Sequence, residues 1–203
     1  MSAANAAAAN GQIAVAQADV QLLSPVSKPS KILAVGLNYV QHILEIPEKV
    51  RKARGFQVPK TPVIFNKQST SANGPYDPIF LPAESNQLDY EAELGVIIGK
   101  TCRRVSEADA MQVVAGYTVL NDVTIRDWQQ AAPTMTMGKS WDSHCPMGPA
   151  LVTADEIADP YNLNVRLTVD GEERQNYNTG AMHFNIAQQI AYLSPPLRCC
   201  REM

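Results

Sequence analysis

The sequence is poor in several features that usually announce a function. Lys and Arg are absent from its first 27 residues. It shows neither the basic start of a secretory signal nor the Arg-rich pattern of a mitochondrial presequence, so a cytoplasmic location is the expectation. Apart from Lys49 to Arg54 there is no basic cluster, and the net charge is -3, which gives no footprint for nucleic acid or an anionic membrane. No apolar run approaches the roughly 20 residues of a membrane-spanning helix. The four cysteines, Cys102, Cys145, Cys199 and Cys200, follow neither a metal-ligand spacing nor a disulfide framework, so reduced thiols are expected. A glycine-rich phosphate loop, a nucleophile elbow and internal repeats are also missing.

What is present is an ordinary globular composition, 45% hydrophobic and 18% charged over 203 residues, enough for one sizeable core. Residues 1–19 are Ala-rich and are expected to be poorly ordered, and Val20 to Leu23 suggests a short edge strand. Lys31 to Val35, Pro62 to Phe65 and Ile79 to Leu81 read as strands, and Asn38 to Glu45 as a helix. The polar stretch Pro47 to Pro59 reads as a loop or lid. Ser106 to Val113 carries an N-capping pattern and is expected to be a short helix. Gly116 to Val123 is expected as a strand, Thr124 to Ala131 as a helix ended by Pro133, and Thr134 to Pro149 as an irregular loop. Asp170-Gly171, between Leu163 to Val169 and Glu172 to Asn176, predicts a hairpin with a type I′ turn. Phe184 to Leu193 closes as a helix. Many short strands without regular βα alternation imply a β-rich α+β fold.

The chemistry centres on Leu88 to Lys100. As one strand of period two it would put Asp89, Glu91 and Glu93 on one face, with an apolar run behind them. Three such carboxylates repel one another and resist desolvation unless a cation sits among them. Either a hard divalent ion binds there or the strand has an acidic, wet face. Asp122 is the natural third ligand, or a cap of the following helix. His42 and Glu45, three residues apart, form an acid–base pair or a solvated helix face. Taken singly, Lys67 and Lys139 read as solvated surface charges, and Arg126 and Asp127 as an exposed helix pair.

In combination these segments carry more information. GLNYVQHILE, PVIFNKQ, GPYDPIFLP, DYEAELGVIIGK, VAGYTVLNDVTIRDWQ, GKSWDSHCPMGPALVT and DGEERQNYNT resemble the fumarylacetoacetate hydrolase family in the family's own order, from about Val20 to Leu193. Within it the chain is most similar to the branch described as acting on oxaloacetate by enol–keto tautomerisation. The resemblance implies a mixed β-sandwich roll, a homodimer, and Mg²⁺ or Mn²⁺ held by Glu91, Glu93 and Asp122. It implies His42 and Glu45 as the proton-transfer pair and Lys139 as the catalytic lysine. Arg126, Asp127, Gln129 and Lys67 would bind a small 2-oxo acid substrate. By family, a mitochondrial location is the alternative to the cytoplasm. Hydrolysis or decarboxylation of related 2-oxo acids is the runner-up chemistry.

The chain departs from the family after its last helix. The P-G-D and T-G-T-P segments expected there are replaced by SPPLRCCREM, so residues 20–193 read as the catalytic-type domain without its C-terminal strands and 194–203 as an aberrant tail. Unpaired sheet edges would follow. An inactive remnant is therefore a further alternative.

Overall fold

The computed structural model describes residue 16 and residues 19–55 and 57–199. Most of the Ala-rich lead and residues 200–203 lie outside the described residues.

A curled four-stranded sheet organises the chain. Its members are β3 (Ala72–Asn73), β8 (Cys145–Thr153), β6 (Val114–Asn121) and β5 (Ala92–Ile98), in that spatial order. The β3–β8 pairing is parallel and the other two are antiparallel. Alternation along β5 sends Leu94, Val96 and Ile98 to a core built on Ala110, Val113, Tyr117, Ile186 and Ile190. Ile97 goes to a second core around Val26, Ile32, Cys145 and Met147. Three two-stranded units flank this sheet: β1 (Ile32–Gly36) with β2 (Val63–Lys67), β4 (Leu88–Asp89) with β7 (Thr124–Ile125), and the hairpin β9 (Asn164–Val169) with β10 (Glu172–Asn178). The hairpin turn is the expected one, with Asp170 and Gly171 both at positive φ, 51° and 82°. Short helices complete the fold: α1 (Val40–Glu45), α2 (Glu48–Arg54), α3 (Arg126–Ala131), α4 (Thr136–Lys139) and α5 (Ile186–Leu193). The α+β, strand-rich expectation holds.

Several local expectations do not. The acidic stretch is two strands, with β4 pairing β7 and β5 pairing β6. Between them Glu91 N–H donates to Asn121 Oδ1 (3.0 Å) and Glu91 O accepts from Asp122 N–H (2.8 Å), so the chain changes partners there. Pro47 to Pro59 contains helix α2 rather than only loop. It carries an acid in its first turn, a Lys52–Glu48 pair at 2.6 Å and a left-handed Gly55 as stop. Val20–Leu23 has no strand partner among the described residues; Gln21 Nε2 instead donates to Asp77 Oδ1 (2.9 Å). Ile79–Leu81, flanked by prolines, is no strand either. Phe80 N–H donates to Ser143 Oγ, and His144 Nε2 lies 2.8 Å from Phe80 O, so side chains take the place of a ladder. Thr134 to Pro149 is less irregular than its Pro content suggested. It holds α4 and the start of β8, whose pairing with β6 shifts register between Tyr117 and Val119, where a bulge tolerates proline. Ser106 does bond Asp109, but the helix that follows is a single 3-10 turn, Ala110–Val113.

Candidate site of carboxylates and lysines

Asp122 lies one residue past the end of β6, where that strand hands over to β7. Its side chain is 4% exposed and meets two ammonium groups, one on each oxygen. Lys67 Nζ is 2.7 Å from Oδ1 and Lys139 Nζ is 2.7 Å from Oδ2. The Lys67 contact lacks hydrogen-bond alignment, which leaves Oδ1 a buried oxygen without a hydrogen-bond donor. Burial alone would raise the Asp122 pKa; the two lysines outweigh it and hold the carboxyl below the usual range.

Both lysines are placed by the fold. Lys67 ends β2, and its ammonium, 1% exposed, also donates to Val123 O at 3.1 Å. Lys139 ends α4, which packs against α3 through Gly138; a Cβ there would collide with the Gln129 backbone. Its Nζ bridges Asp122 and Glu91, with Glu91 Oε2 at 2.6 Å, and stands 4.9 Å from the Phe65 ring centre.

The other oxygen of Glu91 faces Arg126 Nη1 at 2.6 Å, while Arg126 Nε binds Asp89 Oδ2 at 2.8 Å. Gln129 Oε1 accepts from the same Nη1 at 3.0 Å. Despite its partial burial Arg126 is held more firmly protonated than usual, by Glu91 first and then Asp89. Asp89 and Glu91 thus share one cation, although the strand breaks between them.

Glu93 differs from its neighbours. Among the described residues its side chain has no hydrogen bond or ion pair, and its pKa is pushed up to about 8 by burial, then by repulsion from Glu91 and Asp122, which outweigh the attraction of Lys139. Burial raises the phenols of Tyr39 and Tyr177, and the nearby charge of Glu93 raises both further. Their rings meet edge to face at 4.7 Å, and Tyr177 Oη donates to Ala92 O at 2.7 Å. Gln175 Oε1 accepts from Ala92 N–H at 2.7 Å. Tyr39, Tyr177, Gln175 and Asn121 were not singled out from sequence. The signal is faint: the tyrosines lie within GLNYVQHILE and DGEERQNYNT, and no periodicity marks them as neighbours of Glu93.

Other expected residues fall elsewhere. His42 Nδ1 and Glu45 Oε2 are 3.4 Å apart on α1, as their spacing implies, but they are 62% and 75% exposed. Among the described residues neither bonds the carboxylates. Asp127 turns away, accepting from Ser85 Oγ (2.8 Å) and from Trp128 N–H (3.0 Å). The Lys67 ammonium is sealed against Asp122, while the residue also lines a groove along β1 and β2.

Among the described residues no three His, Cys, Asp or Glu side chains form a finished metal cage. The donor set nevertheless fits a hard dication. It is all carboxylate oxygen, two of its members converge on one cation position, now held by Lys139, and the third is uncompensated. A groove of about 370 Å³ along β1 and β2 involves none of the carboxylates.

A profile described as fumarylacetoacetate (FAA) hydrolase C-terminal matches residues 31–200. An oxaloacetate tautomerase named as mitochondrial from Xenopus laevis is 44% identical over 193 residues, covering 94% of this chain and 58% of that protein. The human oxaloacetate tautomerase FAHD2A, also named as mitochondrial, is 43% identical over 180 residues, covering 88% and 55%. The chain thus spans between half and two thirds of the length of these relatives. Among solved structures, 5-carboxymethyl-2-hydroxymuconate delta-isomerase from Mycobacterium smegmatis superposes with a TM-score of 0.79 at 35% identity, covering 92% of this chain and 69% of that one. Maleylpyruvate hydrolase from Sphingobium sp. SYK-6, solved with manganese(II) and pyruvate, gives 0.77 at 34% identity, covering 98% and 67%.

Proposed function

The chain belongs to the fumarylacetoacetate hydrolase family, and from that premise we propose that it is a divalent-metal enzyme of small 2-oxo dicarboxylates, tautomerising enol- and keto-oxaloacetate. The observation that carries this is the convergence of Glu91 and Asp122 on one cation position beside an uncompensated Glu93. Residues 20–193 form its catalytic-type domain. Glu91, Glu93 and Asp122 would hold Mg²⁺ or Mn²⁺, which supplies Lewis-acid stabilisation of developing enolate charge. Manganese in the maleylpyruvate hydrolase supports that choice of ion.

The chain's own residues then divide the work. Lys67 fixes Asp122 from behind and does not touch substrate. Arg126, steadied by Asp89 and Gln129, and Lys139 present positive charge to the substrate carboxylates and to its 2-oxo oxygen. His42 moves the proton between C3 and the enol oxygen, with Glu45 orienting the ring. Asp127, bound to Ser85, supports the α3 end rather than the substrate. Tyr76, Phe80 and Leu81 stand exposed on the loop pinned by Ser143 and His144, and they suit the homodimer expected of the family. The names of the relatives favour mitochondria over cytoplasm.

Titration with Mn²⁺, followed by EPR, tests the site. Binding that is lost in Glu91→Ala and in Asp122→Ala supports it, and no binding by the parent chain overturns it. With Mg²⁺ present, the decay of enol-oxaloacetate absorbance should accelerate. The likeness to a maleylpyruvate hydrolase favours one second reading, C–C bond hydrolysis with a water activated by His42. Turnover of acetylpyruvate without acceleration of oxaloacetate tautomerisation would select it.

A further inference from the structure

We infer that Cys102 and Cys199 are a disulfide-forming pair, a reversible oxidation site that clamps the segment after α5 onto the turn after β5. The two residues sit directly opposite each other in an antiparallel bridge. Cys102 N–H donates to Cys199 O at 2.9 Å, and Cys199 N–H donates to Cys102 O at 3.0 Å. A pair that exchanges both bonds has its Cα atoms about 5.5 Å apart with side chains on one face. That separation falls within the roughly 4.4–6.8 Å over which a disulfide closes without moving the backbone. Both thiols are half-buried and so within reach of solvent, and no disulfide joins them.

The pairing is not an isolated touch. Arg104 N–H donates to Ser194 O (3.0 Å), Val105 N–H to Ser194 Oγ (2.9 Å) and Arg103 Nε to Pro195 O (3.4 Å). Residues 194–199 therefore lie registered along 102–105, which presents Cys199 to Cys102 rather than leaving the encounter to diffusion. Cys145 is a built-in control. It opens β8 opposite Ala72 of β3 and is fully buried, and burial pushes its thiol up to about 12, so it stays a thiol.

The co-reactant is a small-molecule disulfide. One cysteine thiolate attacks it, forming a mixed disulfide and expelling one small thiol. The second cysteine thiolate then displaces the other. One S–S bond forms and one breaks. The two cysteines lose two electrons and two protons, and these appear on the two released thiols.

The clamp closes roughly a hundred residues of chain, which predicts a rise in melting temperature of about 5–10 °C on oxidation. Glu91 and Glu93 lie at the opposite end of β5, so the Mn²⁺ affinity of the chain should be the same in both redox states.

The test treats the purified full chain with oxidised glutathione or with dithiothreitol and measures intact mass, melting temperature and crosslinked peptides. Cys102→Ser, Cys199→Ser and Cys200→Ser variants run in parallel, because trypsin leaves Cys199 and Cys200 on one peptide. Loss of about two mass units with a higher melting point, retained in Cys200→Ser and abolished in the other two, is the expected result. Each variant should melt like the parent in dithiothreitol, and the alanine variant at the same position replaces any that does not. Three outcomes overturn the inference: a crosslink that survives in Cys199→Ser, a stable glutathione adduct without ring closure, or covalent dimers as the sole product.

Discussion

Asp122 and His42 are both proposed to take part in the chemistry, yet the molecule treats them in opposite ways. Asp122 is 4% exposed, and its carboxylate is fixed by ammonium groups from two separate elements, β2 and α4. His42 is 62% exposed on a six-residue helix, and among the described residues its side chain bonds Glu45 alone, three residues on. The buried cluster is part of the framework, because charges taken out of water persist only when paired from several sides. The exposed pair carries almost no structural duty. The fold thus ties its charge-holding groups to stability and keeps the groups proposed for proton transfer separable from it. Substitutions should reveal that split as a gradient of unfolding free energies.

The steepest drop is expected from Asp122→Ala. It would leave Lys67 and Lys139 buried without their shared anion, at a cost of about 3–5 kcal/mol. Urea unfolding measures it. A loss below about 1 kcal/mol would place Asp122 outside the framework.

The next effect depends on pH and belongs to Glu93. Its carboxyl titrates near 8 in the folded chain, against 4.5 ordinarily. Between those values the unfolded chain has lost the proton and the folded chain keeps it, so stability falls as pH rises from about 4.5 to about 8. At about 1.4 kcal/mol per unit this amounts to a few kcal/mol at most. Glu93→Gln should flatten the slope, and Mn²⁺ at pH 8 should restore the lost melting temperature in the parent only. Asp122 has the opposite sign: its folded pKa is lowered, so its contribution is present above the ordinary carboxylate range and fades as pH falls through the folded value. A metal-free profile flat from pH 5 to 8 would break the contrast between Glu93 and its paired neighbours.

A smaller effect is expected at the rim, where Arg126 and Asp89 are 27% and 39% exposed. Asp89→Asn weakens a partly screened pair, worth about 1 kcal/mol or less in stability. Because Arg126 is then less well aimed, KM for a dicarboxylate should rise several-fold with kcat little changed. An unchanged KM would assign Asp89 to strand pairing alone.

The two regions were also unequally legible. The His42–Glu45 pairing follows from helical spacing, and the structure has it as expected. The Asp170-Gly171 hairpin is equally local and equally visible. The cluster is not local: Lys67 reaches Asp122 across 55 positions, and no pattern in PVIFNKQ separates a sealed lysine from a solvated one. Tyr39 and Tyr177 approach Glu93 only because β10 and the residue before α1 come together beside β5. Helix α2 was hidden by its polarity, since it buries little and is held by capping and an exposed ion pair. Strand β8 was hidden by prolines that a local irregularity absorbs.

The smallest structural effect is predicted where the chemical effect is large. His42→Gln keeps a polar side chain on an exposed helix face and removes a pair held at 3.4 Å in water, so its unfolding free energy should change by less than about 0.5 kcal/mol. The rate of tautomerisation should nevertheless fall by about 10²–10⁴, the usual contribution of a positioned acid–base group. Mn²⁺ affinity should stay at the parent value, because the carboxylates it reports do not touch α1. Stopped-flow kinetics, urea unfolding and EPR on the one variant separate the three quantities. A loss of stability comparable to that of Asp122→Ala would mean that α1 is structural after all. Unchanged kinetics would move proton transfer to Lys139, the cationic side chain that bridges Glu91 and Asp122.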